Sequence, residues 1–311
     1  MNNPNPLAFG TMHLVEGSCA EQQTKTILRC AFEHGIRLFD TASSYGCGAG
    51  EILLGKILPK EALLSTKCGL IRNAKGRYLG LDGSPEAISL ACEASLRRLG
   101  REKIDIFFLH RLDPKVAVEE SVGAMRQLQI AGKIGAIGLC ETSAATLRRA
   151  RKEAQITMLQ SEYSLFSRDI EKEVLAACRE LAVGVLAYSP LGRGLLGKRI
   201  ERDNLKPKDI RRILPRFFVE NLPANQALFS ILKQISNSFG ATPAQVALAW
   251  LLKQGEDIFP LFGTTNKEHI IENTQAPKID LPDSALAVLD ALAPRVRGER
   301  YNPMGMRFVN Q

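Results

Sequence analysis

The stretch Ile104-Asp-Ile-Phe-Phe-Leu-His110 is apolar almost throughout and lacks the in–out alternation of a strand with one wet face. Such a run reads as a strand buried on both sides, as parallel strands are when helices cover the sheet. Gly184-Val-Leu-Ala-Tyr-Ser-Pro190 has the same character. Outward from these two, runs of β length begin at Leu7, Arg37, Ala62, Ile104, Ile134, Thr157, Gly184 and Ile258. Segments of helical period lie between them. Ser84-Pro85-Glu86 is an N-cap with proline in the first helical position, after which Ile88, Cys92, Ser95 and Leu99 share one face. Thr242-Pro243 opens another helix, in which Ala247, Trp250, Leu251 and Gln254 keep the rhythm up to Gly255. Eight β-runs, each followed by a helical segment, is the number that closes a parallel barrel. The competing open, doubly wound sheet carries a glycine signature in its first βα turn, and Gly10-Thr-Met-His-Leu-Val-Glu-Gly17 is not G-x-G-x-x-G. The expected fold is α/β, a (β/α)8 TIM barrel, as one domain over residues 1–311.

Bulk properties narrow the function. A hydrophobic fraction of 45% with 24% charged residues is ordinary for a globular chain and excludes a disordered or fibrous one. No apolar run approaches the roughly 20 residues of a membrane-spanning helix. Met1-Asn-Asn-Pro-Asn-Pro6 has neither a basic nor an apolar signal region, so a cytoplasmic address is expected. The 7 cysteines are scattered with no C-x-x-C pair, and the 4 histidines have no partner at i,i+4 spacing, which argues against a disulfide framework and a metal site. The net charge of +8 is concentrated: between Arg193 and Arg216 stand 9 Lys or Arg against Glu201, Asp203 and Asp209. No aromatic interleaving of the kind that stacks bases accompanies them, so a phosphorylated small molecule fits better than nucleic acid. The segment Leu191–Ala224 is far too long for an ordinary βα loop. It follows the seventh strand, where barrels commonly hold phosphate. Neither nucleic acid nor membrane is an expected partner, and the chain is expected to be a monomer or weak homo-oligomer.

In a barrel of this kind, reactive side chains project from the C-terminal ends of strands. Those ends supply Asp40 and, a short loop later, Tyr45; then Lys67; then His110. A phenol titrates near 10, too high to exchange protons readily at neutrality. A neighbouring ammonium lowers that value, and Lys67 can provide one, with Asp40 keeping it charged and aimed. His110 can hydrogen-bond a substrate oxygen or relay the proton. Singly each residue has an ordinary use as a cap or surface group. At successive strand ends they form an acid that protonates an oxygen. No activated Ser or Cys is evident, so a hydride is the natural attacker of the carbon.

Phe39-Asp-Thr-Ala-Ser-Ser-Tyr-Gly46, Ser65-Thr-Lys67, Ile104-Asp-Ile-Phe-Phe-Leu-His-Arg-Leu-Asp-Pro114 and Ala187-Tyr-Ser-Pro-Leu-Gly-Arg-Gly194 resemble the aldo-keto reductase family, in order, from about Leu7 to Tyr301. Asp209-Ile-Arg-Arg212, Pro215-Arg-Phe217 and Glu220-Asn221 are similar to its long-loop branch of pyridoxal reductase-like and perakine reductase-like enzymes. The resemblance implies NADPH-dependent reduction of an aldehyde or ketone, with Asp40, Tyr45, Lys67 and His110 as the catalytic set. It implies that Tyr188 stacks on the nicotinamide and Gln160 holds its carboxamide. Ser189, Leu191, Gly192, Arg193 and Gly194 match positions around the pyrophosphate. Gly10, Thr11, Met12 and Asp40 are further implied contacts at the first two strand ends, as are Cys140 and Glu141 at the fifth. Gly263, Thr264, Thr265, Lys267, His269, Glu272 and Asn273 follow the eighth.

Two departures stand out. Cys140-Glu141 replaces the family's Ser-Asn or Ser-Glu, and a thiol is a weaker hydrogen-bond partner than a hydroxyl. His269 stands where the family has an arginine facing the 2′-phosphate, and a neutral imidazole lacks the fixed charge and forked donors of a guanidinium. With Lys267, or Asn266 with Thr264 and Thr265, compensating, NADPH is the expected cofactor and NADH the alternative. A nicotinamide sensor with slow turnover is the rival reading. Met12, Ser44, Leu112 and the tail Met304–Gln311 are the expected pocket walls.

Overall fold

Each barrel strand begins within one residue of an apolar run read from the sequence. The computed structural model describes residues 5–16, 19–73, 75–207 and 209–309. Residues 1–4, Gly17 of the first βα turn, Lys208 in the long loop, and Asn310 and Gln311 of the tail lie outside the described residues. The strands, in chain order, are β1 (Ala8–Gly10), β2 (Leu38–Asp40), β3 (Leu63–Cys68), β4 (Leu70–Arg72), β5 (Tyr78–Leu81), β6 (Ile104–Leu109), β7 (Ile134–Cys140), β8 (Ile156–Glu162), β9 (Gly184–Tyr188) and β10 (Ile258–Phe262). The helices are α1 (Met12–Glu16), α2 (Glu21–Glu33), α3 (Ala49–Ile57), α4 (Pro85–Leu99), α5 (Val118–Ile130), α6 (Ala144–Glu153), α7 (Val174–Glu180), α8 (Leu222–Ser238), α9 (Pro243–Leu252), α10 (Lys267–Asn273), α11 (Asp283–Asp290) and α12 (Pro303–Met306). Strands β1, β2, β3, β6, β7, β8, β9 and β10 pair in that order, all parallel, and β10 closes on β1. This is the expected (β/α)8 barrel. Among the described residues no helix is long and apolar enough to cross a membrane.

The helix starts follow local chemistry. The Ser84 side chain accepts from the Ala87 amide, with Pro85 next in line. Thr242 and Gln245 form a reciprocal capping box on α9. That helix ends at Leu252, so Gln254 falls beyond it and Gly255 is not its stop.

Two cores result from the barrel. Outward-facing Phe9, Phe39, Phe107, Leu139, Leu159 and Val185 pack under the helices, with Ile27, Ile88 and Trp250 among their partners. Inside stands a smaller cluster of Ala8, Phe108, Cys140, Met158, Leu186 and Leu261, with Leu38, Ile106, Tyr188 and Phe259 against it. Because strand side chains alternate with period two, this inner set dictates which residues above it also face inward. Gly138 makes room for one of them: a Cβ there would lie 2.3 Å from Cδ1 of the Phe108 ring.

Two expectations need correction. Strand β3 is not followed directly by a helix: β4 and β5 first form an antiparallel hairpin over its end. The long segment after β9 ends at Asn221, where α8 begins, rather than at Ala224. It is also not irregular throughout. Short 3₁₀ turns at Gly192–Gly194, Arg202–Asn204, Ile210–Ile213 and Pro215–Phe217 shape it. Leu195, Leu196, Ile200, Leu205, Leu214 and Phe217 bury it against the barrel.

Candidate active site

Leu38, Phe108, Met158 and Leu186 belong to the inner cluster, so Asp40, His110, Gln160 and Tyr188, each two residues on, are aimed into the barrel mouth. Asp40 and Lys67 meet there fully shielded, Lys67 Nζ to Asp40 Oδ2 at 2.5 Å. The ammonium also donates to the Thr41 carbonyl at 2.7 Å. Asp40 Oδ1 accepts from Ser65 Oγ at 2.7 Å and from Gln160 Nε2 at 3.0 Å. Burial by itself pulls the Lys67 pKa down, but the adjoining Asp40 carboxylate outweighs it and the net shift is upward. The ammonium is therefore firmly charged.

Tyr45 stands above this pair. Its loop is tied to β3, with Ser43 donating from its amide (3.2 Å) and Oγ (2.8 Å) to the Lys67 carbonyl. Lys67 Nζ lies 5.1 Å from the centroid of the Tyr45 ring. The His110 ring meets Tyr45 edge-on, with centroids 6.0 Å apart. Burial, then the charges of Lys67, Arg111 and Arg72, hold His110 well below its ordinary pKa. The imidazole is neutral near pH 7, and its Nδ1 is buried with no hydrogen-bond partner among the described residues. The four residues read as an acid–base set thus converge.

The other side of the mouth is an ionic network. Tyr188 OH and Tyr301 OH lie 2.8 Å apart. Arg193 Nη2 donates to Tyr301 OH at 2.8 Å and to Glu162 Oε2 at 3.2 Å. Glu141 receives both terminal nitrogens of Arg300, each at 2.8 Å, and the Glu162 amide at 2.9 Å. Its carboxylate is consumed by this support. Burial pushes the Cys140 thiol up to about 12, so it is a neutral packing group between β6 and β8. Thr11 is similarly engaged, its amide and Oγ1 both reaching the Asp40 carbonyl at 3.0 Å. Gly10 pairs with Asp40 in register, and Met12 sits half-buried in α1.

The Ser189–Gly194 turn is shaped for close approach by a ligand. Ser189, Gly192, Arg193 and Gly194 all have positive φ. Of the five non-glycine residues with positive φ among those described, Cys47, Glu141, Ser189 and Arg193 line this mouth. Strain of that kind concentrates at functional sites. Across the groove, His13 is depressed in pKa by burial and then by Arg193 and Arg211, so basic groups gather there. Leu191 packs against the main core beneath them.

The residues after β10 form a separate cluster at the far end. A Cβ on Gly263 would lie 2.7 Å from the Gly10 carbonyl oxygen, which accounts for glycine there. Thr264 Oγ1 and His269 Nδ1 are 3.3 Å apart on an exposed surface, and Lys267 leans towards Glu268 at 3.9 Å. The Thr265 carbonyl is held by Gln23 Nε2 at 3.0 Å. Glu272 faces away to accept from Thr242 Oγ1 at 2.6 Å, and Asn273 Oδ1 is buried without a partner among the described residues. This cluster does not touch the acid–base set. Sequence reading missed Arg111, Glu162, Arg211, Arg300 and Tyr301. Arg111 carried a signal in its place directly after His110, and Arg211 in the basic Asp209–Arg212 motif.

The chain is similar to one family model and to three known proteins. The family model described as "Aldo/keto reductase family" matches residues 6–294. A curated soybean (Glycine max) protein, "Probable aldo-keto reductase 1", is 40% identical over 304 residues, 95% of this chain and 88% of that one. A glycerol dehydrogenase from Gluconobacter oxydans superposes with a TM-score of 0.87 at 28% identity, covering 97% of this chain and 96% of its own. An aldo-keto reductase from Klebsiella pneumoniae, solved in complex with NADPH, gives a TM-score of 0.73 at 26% identity over 94% of each chain. Motifs, barrel and relatives agree, and the chain is a member of the aldo/keto reductase family of oxidoreductases.

Proposed function

We propose that this protein reduces aldehydes and ketones with NADPH, and that Tyr45 delivers the proton to the carbonyl oxygen. The observation that carries the reading is the sealed Lys67–Asp40 pair beneath Tyr45, with a neutral His110 beside it. An ammonium that cannot lose its charge stabilises the phenolate left by proton transfer, so it eases release of that proton. Neutral His110 can hydrogen-bond the substrate oxygen and hold it beside the phenol without competing as a cation.

The mouth suits a dinucleotide. The left-handed Ser189–Gly194 turn, with Arg193, Arg211 and His13 near it, is a concave basic cradle for a pyrophosphate. Tyr188, Gln160 and Asp40 would hold the nicotinamide end, with Thr11, Met12, Cys140 and Glu141 forming the floor around it. Thr264, Lys267 and His269 would meet the adenosine 2′-phosphate, and NADH is the alternative if they do not. Bound there, NADPH supplies the hydride that the carbonyl carbon receives. The residues of this chain orient the carbonyl, exclude water from the inner cluster and move the proton from the Tyr45 hydroxyl.

The test is initial rates with a reactive aromatic aldehyde, NADPH against NADH, for wild type and Tyr45→Phe. NADPH turnover that falls by about 10²-fold or more in the variant supports the reading, given the usual worth of a positioned acid. Turnover indifferent to the substitution sinks it.

A further inference from the structure

Among the described residues, the acids around the mouth are already engaged. Glu141, Glu162 and Asp169 stand against Arg300, Arg193 and Arg216 in contacts of 2.8 to 3.7 Å, three charges of each sign. Asp40 balances Lys67, and Asp209 is paired with Arg211 at 2.7 Å. Asp113, the acid closest in sequence to His110, is spent on the amides of Gly83 and Lys115. Among the described residues, one guanidinium inside the mouth has no carboxylate in direct contact, although that of Glu141 acts on it from a distance. Arg111, the residue after His110, uses only Nη1, which donates to the His110 carbonyl at 2.7 Å. Among the described residues no carboxylate lies within 4 Å of it, and its Nε and Nη2 edge has no acceptor. The side chain is half-buried, and its free donors are not sealed off as His110 Nδ1 is. Its charge is felt at His110, and Tyr188, Tyr301 and the Glu141 carboxylate lie near enough to act on it without touching it. Arg72, at the rim on β4, adds a second positive charge felt at His110, and its Nη1 donates to the Gly76 carbonyl at 2.9 Å.

We propose that Arg111 is the specificity residue for a carboxylate-bearing carbonyl substrate, whose acid group docks on the free edge of its guanidinium while the carbonyl oxygen lies between Tyr45 and His110. This rests on the reductase reading above and narrows it to one substrate class. A planar guanidinium edge offers two parallel donors, the geometry a carboxylate accepts. A half-buried guanidinium with no direct ion pair, beside a neutral imidazole, is stabilised when an anion arrives, whereas an uncharged substrate leaves its free edge unanswered. Arg72 draws the anion towards the mouth from the rim.

The experiment compares 4-formylbenzoate with its methyl ester, two aldehydes that differ in charge, the ester being the more activated, so that a preference for the acid cannot come from ring activation. Wild-type kcat/KM should favour the carboxylate by about tenfold or more, the scale of one charge-assisted contact, with the gain in KM. The preference should shrink as salt is raised. Arg111→Gln should bring the ratio close to one, and Arg111→Lys should restore part of it. A wild-type ratio at or below one, a ratio unchanged in Arg111→Gln, or a loss confined to the KM of NADPH would each overturn the proposal. If neither aldehyde is reduced, the reductase reading fails, and calorimetric titration with benzoate still judges the anion site. Binding weakened by Arg111→Gln supports it, and no binding to wild type overturns it.

Discussion

Asp40 and Gln160 stand 120 residues apart in the chain and meet inside the barrel, the carboxamide Nε2 donating to the carboxylate Oδ1 at 3.0 Å. The contact joins β2, which carries Asp40, to β8 on the far side of the barrel. Its loss should be graded against loss of the ion pair. Gln160→Leu removes one donor to a charged group and should cost about 1–3 kcal/mol. Asp40→Asn strands the buried Lys67 ammonium and should cost about 3–5 kcal/mol. Urea denaturation of the two variants checks the order, and a larger loss in Gln160→Leu would contradict it.

Stability should depend on pH through two groups of opposite sign. His110 is depressed on folding, so its contribution is complete above the unfolded value near 6.5 and is lost as pH falls towards the folded one. Lys67 is raised, so its contribution is present below its unfolded value and is lost as pH rises through the folded one. Urea midpoints between pH 7.5 and 5 should fall for wild type and fall less for His110→Gln. Parallel slopes for the two proteins would show that His110 carries no such linkage.

Gly138 gives way to the Phe108 ring, and Phe108 lies two residues before His110 on the same face of β6. Gly138→Val should displace the ring and tilt the strand end, at about 1–3 kcal/mol for overpacking. The same variant should lose activity with KM for cofactor little changed, because the disturbance is on the His110 side. Thermal melts with steady-state rates test both halves of the claim.

Arg300→Met leaves the Glu141 carboxylate buried without its two-pronged partner and should cost about 3–5 kcal/mol. Replacing both residues by apolar side chains should cost less than either single change, since no buried charge is left stranded and Asp169, the other partner of Arg300, is exposed to solvent. A double-mutant cycle read by denaturant unfolding measures the difference.

Much of this was legible in the chain because barrel strands buried on both faces announce themselves as apolar runs. Leu38, Phe108, Met158 and Leu186 set the inward parity, and Asp40, His110, Gln160 and Tyr188 inherit it. The β4–β5 hairpin escaped notice because it is short and exposed, with Leu79 at 61% exposure and no core face to impose a period. Arg300 could not be assigned to Glu141, since 159 residues separate them and only the closed barrel brings them together. Arg111 was visible beside His110, but its lack of a partner is a property of three-dimensional charge balance. Glu141 was read as a cofactor contact, and the engagement of its carboxylate by Arg300 was not foreseen.

The tail that leaves Tyr301 beside Tyr188 crosses the mouth and sets Phe308 against Tyr78 on the hairpin, with ring centroids 6.4 Å apart. The floor of the site therefore belongs to the barrel, while part of its wall belongs to two short exposed pieces holding each other. Pieces of that kind open locally well before a barrel does. On warming, the protein should lose its discrimination between substrates at a temperature where it still reduces them.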